Sequence, residues 1–233
     1  MSRSIEQLVN QQVLRWMQEQ RVNTGALALQ PREAQRPMIT ISREYGALGG
    51  TMGRGVAQAL GFGFYAQELV HEIARRADVR RQVVESLDER SQSRIGRWVN
   101  DMMTGGIFAP SDYLRNLSQV IVTVGRHGRG VIIGRGAHLI LDPAQTLRVR
   151  AYAPLDERVR YIARREGLSV SAARRKVQTV DGERAMFYQR HFSNVVDSPL
   201  NFDLMLNTGT LGVAECVDIV VQAFKRRFSG PTN

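Results

Sequence analysis

The stretch MITISREYGALGGTMGRGVAQALG, residues 38–61, decides how this chain folds. It opens on MITIS, a short apolar and β-branched run fit for a buried strand. YGALGGTMGRG follows, and then VAQALG, whose apolar spacing is helical. A strand, a glycine-rich turn and a helix in that order make an anion site, because several backbone N–H groups have to converge on a phosphate. Glycine supplies positive φ angles and close approach, and the helix N-terminus adds a favourable dipole. Gly46, Gly49, Gly50 and Gly53 are therefore candidate cofactor contacts. Thr51 is the candidate hydroxyl for a phosphate or a magnesium ion, although a threonine there also serves as a plain helix cap.

Apolar runs at 131–134, 147–153 and 203–207 are further strands, and GFGFY near residue 64 supplies one more. Helical spacing runs through 67–77, 113–126, 156–166, 171–192 and 213–228. Short strands alternating with helices predict an α/β domain with a mostly parallel sheet covered on both faces. Residues 79–100 read as helical and MMTGGIFAPSD, 102–112, as a loop. No repeat or low-complexity tract interrupts the pattern.

The 233 residues, 43% of them apolar, suffice for one real core, which the pattern assigns to residues 38–233. Residues 1–37 form a separate arm. Ile5, Leu8, Val9, Val13, Trp16 and Met17 share one face of a predicted helix over 4–20, and a polar, Pro-punctuated linker, 23–37, follows. The arm reads as a docking or dimerisation element, so a homo-oligomer through the N-terminal helix is one expected assembly. No window reaches the roughly 20 apolar residues of a membrane helix, and the first residues lack a signal peptide's apolar stretch. A soluble, cytoplasmic protein without a membrane partner is expected. Cys216, the only cysteine, excludes intrachain disulfides and reads as a buried small residue.

The net charge of +10 comes almost wholly from arginine, since Lys176 and Lys225 are the only lysines. Arginine's planar fork grips phosphate with two hydrogen bonds, which suits phosphorylated ligands. Codon usage alone would give the same excess, so position has to decide.

Residues 39–60, ITISREYGALGGTMGRGVAQAL, resemble the opening of bacterial cytidylate kinases, and more closely that of the cytidylate kinase-like family. The resemblance continues in VIIGRGAHLIL (131–141), a strand with its Gly-Arg turn. It extends to LRVRAYAPLDERVRYIARREGLS (147–169), a fourth strand leading into the lid, and to NFDLMLNTGTLG (201–212), a fifth strand. It implies a three-layer P-loop NTPase fold with about five strands, a helical lid and an N-terminal helical extension. It also implies ATP and Mg2+ as cofactors and a nucleoside monophosphate, CMP or dCMP, as substrate.

The ordinary phosphate loop reads G-x-x-x-x-G-K-[ST], with lysine on the β- and γ-phosphates. Here Gly49 stands at the lysine position. Arg43, at the strand end, or Arg54, one turn into the helix, could supply the missing charge, and Arg43 is the favoured one. By resemblance Arg135 clamps the acceptor phosphate, although a solvated turn arginine would look alike. Gly136 stands where the authentic cytidylate kinases carry an aspartate, and Ala66 where the family typically carries one. In the lid, Arg174, Arg175, Asp181 and Arg184 match the family's charge-neutralising segment, with Asp181 and Arg184 at i, i+3 spacing; a solvated basic helix has the same composition. Catalysis is thus expected of Arg43, Arg135, Arg174, Arg184 and Asp181. A nucleotide sensor that kept the fold while losing the lysine and two carboxylates is the competing expectation. Nucleic-acid binding comes last, because interleaved aromatics and a recognisable motif are missing.

Overall fold

The computed structural model describes residues 37–87, 89–104, 111–192 and 198–228, together with Gln7, Gln11, Gln12, Leu14 and Trp16. β1 (Met38–Arg43) leads through the glycine loop into α1 (Gly49–Leu60). β2 (Gly63–Tyr65) is followed by α2 (Gln67–Arg75), α3 (Ala77–Glu85), α4 (Glu89–Thr104) and α5 (Asp112–His127). β3 (Gly130–Ile133) turns into the short α6 (Ala137–Ile140), and β4 (Thr146–Tyr152) into α7 (Leu155–Glu166) and α8 (Val170–His191). β5 (Leu204–Asn207) precedes α9 (Val213–Phe228).

The strands form one parallel sheet in the order β2-β3-β1-β4-β5, so β1 and the glycine loop stand at its centre. Ile41 lies between Ile133 and Val149. Successive side chains on a strand point to opposite faces. Ile39, Ile41, Val131, Ile133 and Val149 accordingly pack with Met52, Val56, Cys216 and Val220 of α1 and α9. Met38 and Ile132 join the core on the other face, built with α2 to α5. The same parity sends Arg43 toward the start of α1 and Ser42 away from it. A third cluster, Val159, Ile162, Ala173 and Val177, holds α7 against α8, whose N-cap Ser169 accepts from the Ala172 N–H at 3.2 Å.

The structure departs from the sequence pattern at three places on the α2–α5 side, one being the stretch 79–100, expected to be helical throughout, which is divided between α3, ending at Glu85, and α4, beginning at Glu89. The predicted helix over 67–77 breaks at Arg76, which is extended (φ −95°, ψ 111°). The bend lets Val70 and Ile73 before it, and Val79 and Val83 after it, all enter one core. Met102 to Thr104, expected in a loop, continue α4, because Met103 extends the buried row Ile95, Val99 at i, i+4, i+8. Residues 105–110 of that expected loop lie outside the described residues.

Trp16 packs into the domain's own core. It is 3% exposed and stacks on His127, with ring centroids 3.9 Å apart and planes within 4°, while Tyr65 lies 6.2 Å away. His127 Nε2 and Ser86 Oγ are hydrogen-bonded at 2.7 Å behind it. The other apolar residues expected on that helix face, Ile5, Leu8, Val9, Val13 and Met17, lie outside the described residues, as does linker 23–36. Among the described residues no helix is long and apolar enough to cross a membrane.

Candidate active site

Because α1 begins at Gly49, the loop proper is residues 44–48. Gly46 has φ +86°, and a Cβ there would meet Arg158 Cβ and its carbonyl oxygen at 3.0 Å, so the position demands glycine. The N-cap residue Leu48 makes no side-chain cap, and among the described residues the N–H groups of Gly49, Gly50 and Thr51 lie outside the intrahelical ladder. Thr51 is exposed beside them. The Thr208 hydroxyl donates to the Ala47 carbonyl at 2.9 Å and ties the loop to the end of β5. Gly53 faces the sheet instead, where a Cβ would lie 2.5 Å from Ile133 Cδ1; it allows α1 to pack closely rather than touching the loop.

At the lysine position, a Cβ on Gly49 would lie 2.6 Å from Arg43 Cβ and 3.1 Å from Ala151 Cβ. The Arg43 stem fills that space. Its guanidinium continues across the sheet edge to the turn after β3, where Nη2 donates to Gln67 Oε1 at 2.6 Å and Nη1 lies against Gly134. Arg54 instead covers the Phe64 ring at 4.6 Å and is exposed.

The turn after β3 is built from Gly134, Arg135 and Gly136 with φ of 71°, 55° and 69°. For a non-glycine residue such as Arg135 this backbone costs roughly 1–3 kcal/mol, a strain typical of ligand sites. Its guanidinium lies 5.3 Å from the Phe187 ring centroid, and its Nε is buried without a hydrogen-bond partner. Arg184 Nη1 donates to the Arg43 carbonyl at 3.0 Å, and its Nε is likewise buried and unpaired. Arg150 Nη1 donates to Ser42 Oγ at 3.1 Å.

Arg43, Arg135, Arg150 and Arg184 line one cleft of about 320 Å³ at the carboxyl ends of the central strands, together with Gln67, Tyr188, Glu44, Asp181 and Glu183. Ligands bind there in open parallel sheets. Burial, and then the neighbouring Arg184 charge, lowers the Arg43 guanidinium to about 10, so it remains a cation at neutral pH. Burial also lowers Arg184 and raises the Tyr188 hydroxyl, which stays protonated. The cleft thus concentrates positive charge, as stabilising a phosphorylated ligand requires.

The loop side is more tightly closed. Asp181 Oδ1 accepts from the Tyr45 N–H at 2.8 Å, and its Oδ2 from Arg158 Nη1 at 2.5 Å. Arg158 also reaches the Tyr45 carbonyl (3.2 Å), the Ala153 carbonyl (3.0 Å) and Glu44 Oε2 (3.2 Å). Tyr45 is held by Glu166 at 2.9 Å, with Arg184 5.5 Å from its ring centroid.

Of the candidate catalytic residues, Arg43, Arg135, Arg184 and Asp181 meet in the cleft. Arg174 does not, pairing with Asp156 at 2.6 Å on the outer side of the α7–α8 hairpin. Sequence reasoning missed Arg158, Arg150, Glu44 and Tyr188. A signal for Arg158 was present: it falls at i+3 on the stripe Leu155, Arg158, Val159, Ile162, and an arginine on a buried stripe needs partners inside. Arg150 had none, since alternation along β4 marks it as facing away from Val149 without saying what it faces.

The parallel sheet with its central glycine loop and the arginine-lined cleft at its carboxyl edge define an α/β domain of the P-loop class. The chain belongs to the cytidylate kinase-like family, whose sequence profile matches residues 38–210. It is 28% identical over 156 residues to a uronate isomerase of Corynebacterium glutamicum, covering 62% of this chain and 30% of that protein. It is 27% identical over 110 residues to a cytidylate kinase of Ignicoccus hospitalis, covering 47% of this chain and 62% of that one. The chain therefore spans less than two thirds of the length of either curated relative. Among solved structures, an uncharacterized protein from Eubacterium ventriosum has the same fold, with a TM-score of 0.57 at 17% identity over 82% of this chain and 99% of that one.

Proposed function

We propose that the protein transfers a phosphoryl group from ATP to a nucleoside monophosphate, CMP or dCMP being the acceptors that its resemblance to cytidylate kinases implies. The observation that carries this reading is the convergence of Arg43, Arg135 and Arg184 in one cleft beside a glycine loop with free first-turn N–H groups. Phosphoryl transfer needs positioning and charge stabilisation more than covalent help, and an acceptor phosphate is already a nucleophilic oxyanion. Arg135 holds the acceptor phosphate, Arg43 faces it from β1, and Arg184 supplies positive charge from α8 between the cleft and the loop. The N–H groups of Gly49, Gly50 and Thr51 fit nucleotide phosphates. Among the described residues no group of three or more His, Cys, Asp or Glu side chains is placed to hold a metal, so Mg2+ in this reading is carried by the nucleotide, with the Thr51 hydroxyl as the protein's contribution.

A second reading, a nucleotide sensor without turnover, is favoured by one feature: glycine at position 49 leaves no lysine at the loop. Calorimetric titration with ATP, CMP, dCMP and other monophosphates, alongside a coupled assay for ADP release, separates the two. Turnover with a monophosphate supports the kinase. Nucleotide binding with no turnover for any monophosphate sinks it and leaves the sensor.

A further inference from the structure

The glycine loop holds an anion of the protein's own. The Asp181 carboxylate takes a loop N–H, that of Tyr45, with one oxygen and the Arg158 guanidinium with the other. A backbone N–H at the mouth of a glycine loop plus a guanidinium is also the donor set that binds a phosphate. Two anions cannot occupy those donors together.

Arg158 is built into that place. It is 8% exposed, its backbone lies directly beneath Gly46, and its Nε is fixed on the Ala153 carbonyl and Glu44. Arg43, by contrast, spends its length crossing from Gly49 to Gly134 and Gln67. We propose that Arg158, not Arg43, is the cation that meets the terminal phosphate of a donor nucleotide, and that Asp181 is an internal competitor that must withdraw for the nucleotide to bind. The inference rests on reading the loop as the donor site.

The exchange leaves no charge stranded. When Asp181 withdraws, Glu44 still faces Arg158 Nε, and the incoming phosphate replaces the lost carboxylate at Nη1. Asp181 lies one helical turn before Arg184, which holds the Arg43 carbonyl and lines the acceptor cleft. Asp181 Oδ1 also lies 3.8 Å from Arg184 Nη1, so its withdrawal removes a negative charge from beside Arg184 and couples filling of the loop to the acceptor side.

The test is calorimetric titration of the full chain with MgATP and MgADP, using wild type, Asp181→Asn, Arg158→Lys and Arg158→Gln, with thermal melts confirming that each variant folds. Removing the competing charge should tighten MgATP binding by about tenfold in Asp181→Asn, the size of one charge-assisted hydrogen bond, and MgADP binding by less. Arg158→Gln should weaken MgATP by a similar factor, and Arg158→Lys should recover part of it. An Asp181→Asn affinity within twofold of wild type, no detectable binding by either protein, or Arg158 variants that fold and bind as wild type does would each overturn the proposal. Because the readout is binding, it separates from the kinase reading. Shifted affinities without turnover keep this inference and sink the kinase, and turnover with unshifted affinities does the reverse.

Discussion

Arg43 and Gly49 are sterically coupled: a Cβ at residue 49 would lie 2.6 Å from Arg43 Cβ and 3.2 Å from its Cγ. The glycine at the usual lysine position is thus the counterpart of the arginine at the end of β1. Overpacking of this kind costs about 1–3 kcal/mol, so Gly49→Ala should lower stability by that amount. In an Arg43→Gly background, which removes the clashing Cβ itself, the same change should cost less than half as much. A double-mutant cycle read by urea denaturation checks it, and additive effects would break the link between the two residues.

Arg43 and Arg135 point their guanidinium groups into the same cleft, against the sequence-based expectation that Arg43 covers the loop in place of the lysine. Arg43→Ala and Arg135→Ala should therefore both weaken binding of a monophosphate, each by roughly tenfold or more given the strength of hydrogen bonds to charged groups. Titration with CMP and with MgATP is the measurement. An Arg43→Ala variant that loses ATP alone would return Arg43 to the loop.

Trp16 lies in the sequence outside the family-matched region yet belongs to its core. Trp16→Ala should cost about 3–5 kcal/mol, the range for removing a buried aromatic side chain. The chain has only two tryptophans, so a Trp98→Phe background isolates the Trp16 signal. Its fluorescence should change cooperatively with global unfolding. A transition well before the far-ultraviolet one would mean that Trp16 leaves the core independently of the domain.

His138 is buried against Phe202 and Tyr188, and burial, then the Arg150 and Arg148 charges, lowers its pKa to about 3. The unfolded chain takes up this proton near its ordinary value of about 6.5, whereas the folded chain does not. Its contribution is therefore complete above pH 6.5 and is lost as pH falls toward 3, by about 1.4 kcal/mol per pH unit once the unfolded chain is protonated. His71 and His191, also lowered by burial, act in the same direction. Denaturation between pH 7 and 4 should show a shallower decline for His138→Leu than for wild type, and parallel curves would refute the assignment.

Much of the architecture was legible because it rests on local periodicity. The run MITIS, the later apolar runs and the helical spacing in 156–166 and 213–228 correspond closely to β1, β3, β4, β5, α7 and α9. The break at Arg76 and the extension of α4 through Thr104 were not legible, since both depend on which side chains reach a core that α2 to α5 share with α6 and α8. Arg174 and Arg184 looked equivalent in sequence. They differ because one faces Asp156 and the other the loop, a matter of where α8 lies against α7 and β1.

Strand and helix periods and glycine's backbone freedom act over a few residues, so the parallel α/β domain, the glycine loop at the end of its first strand and that loop's lack of lysine are all written locally in the chain. Where each positive charge points depends instead on packing between elements distant in the chain. Arg43 crosses to the β3 turn because residue 49 leaves room for its stem, and Arg158 lies under Gly46 because α7 packs there. Those directions are set by contacts between residues as much as 109 and 113 positions apart, such as Ala153 with Glu44 and Arg158 with Tyr45, which no local pattern encodes.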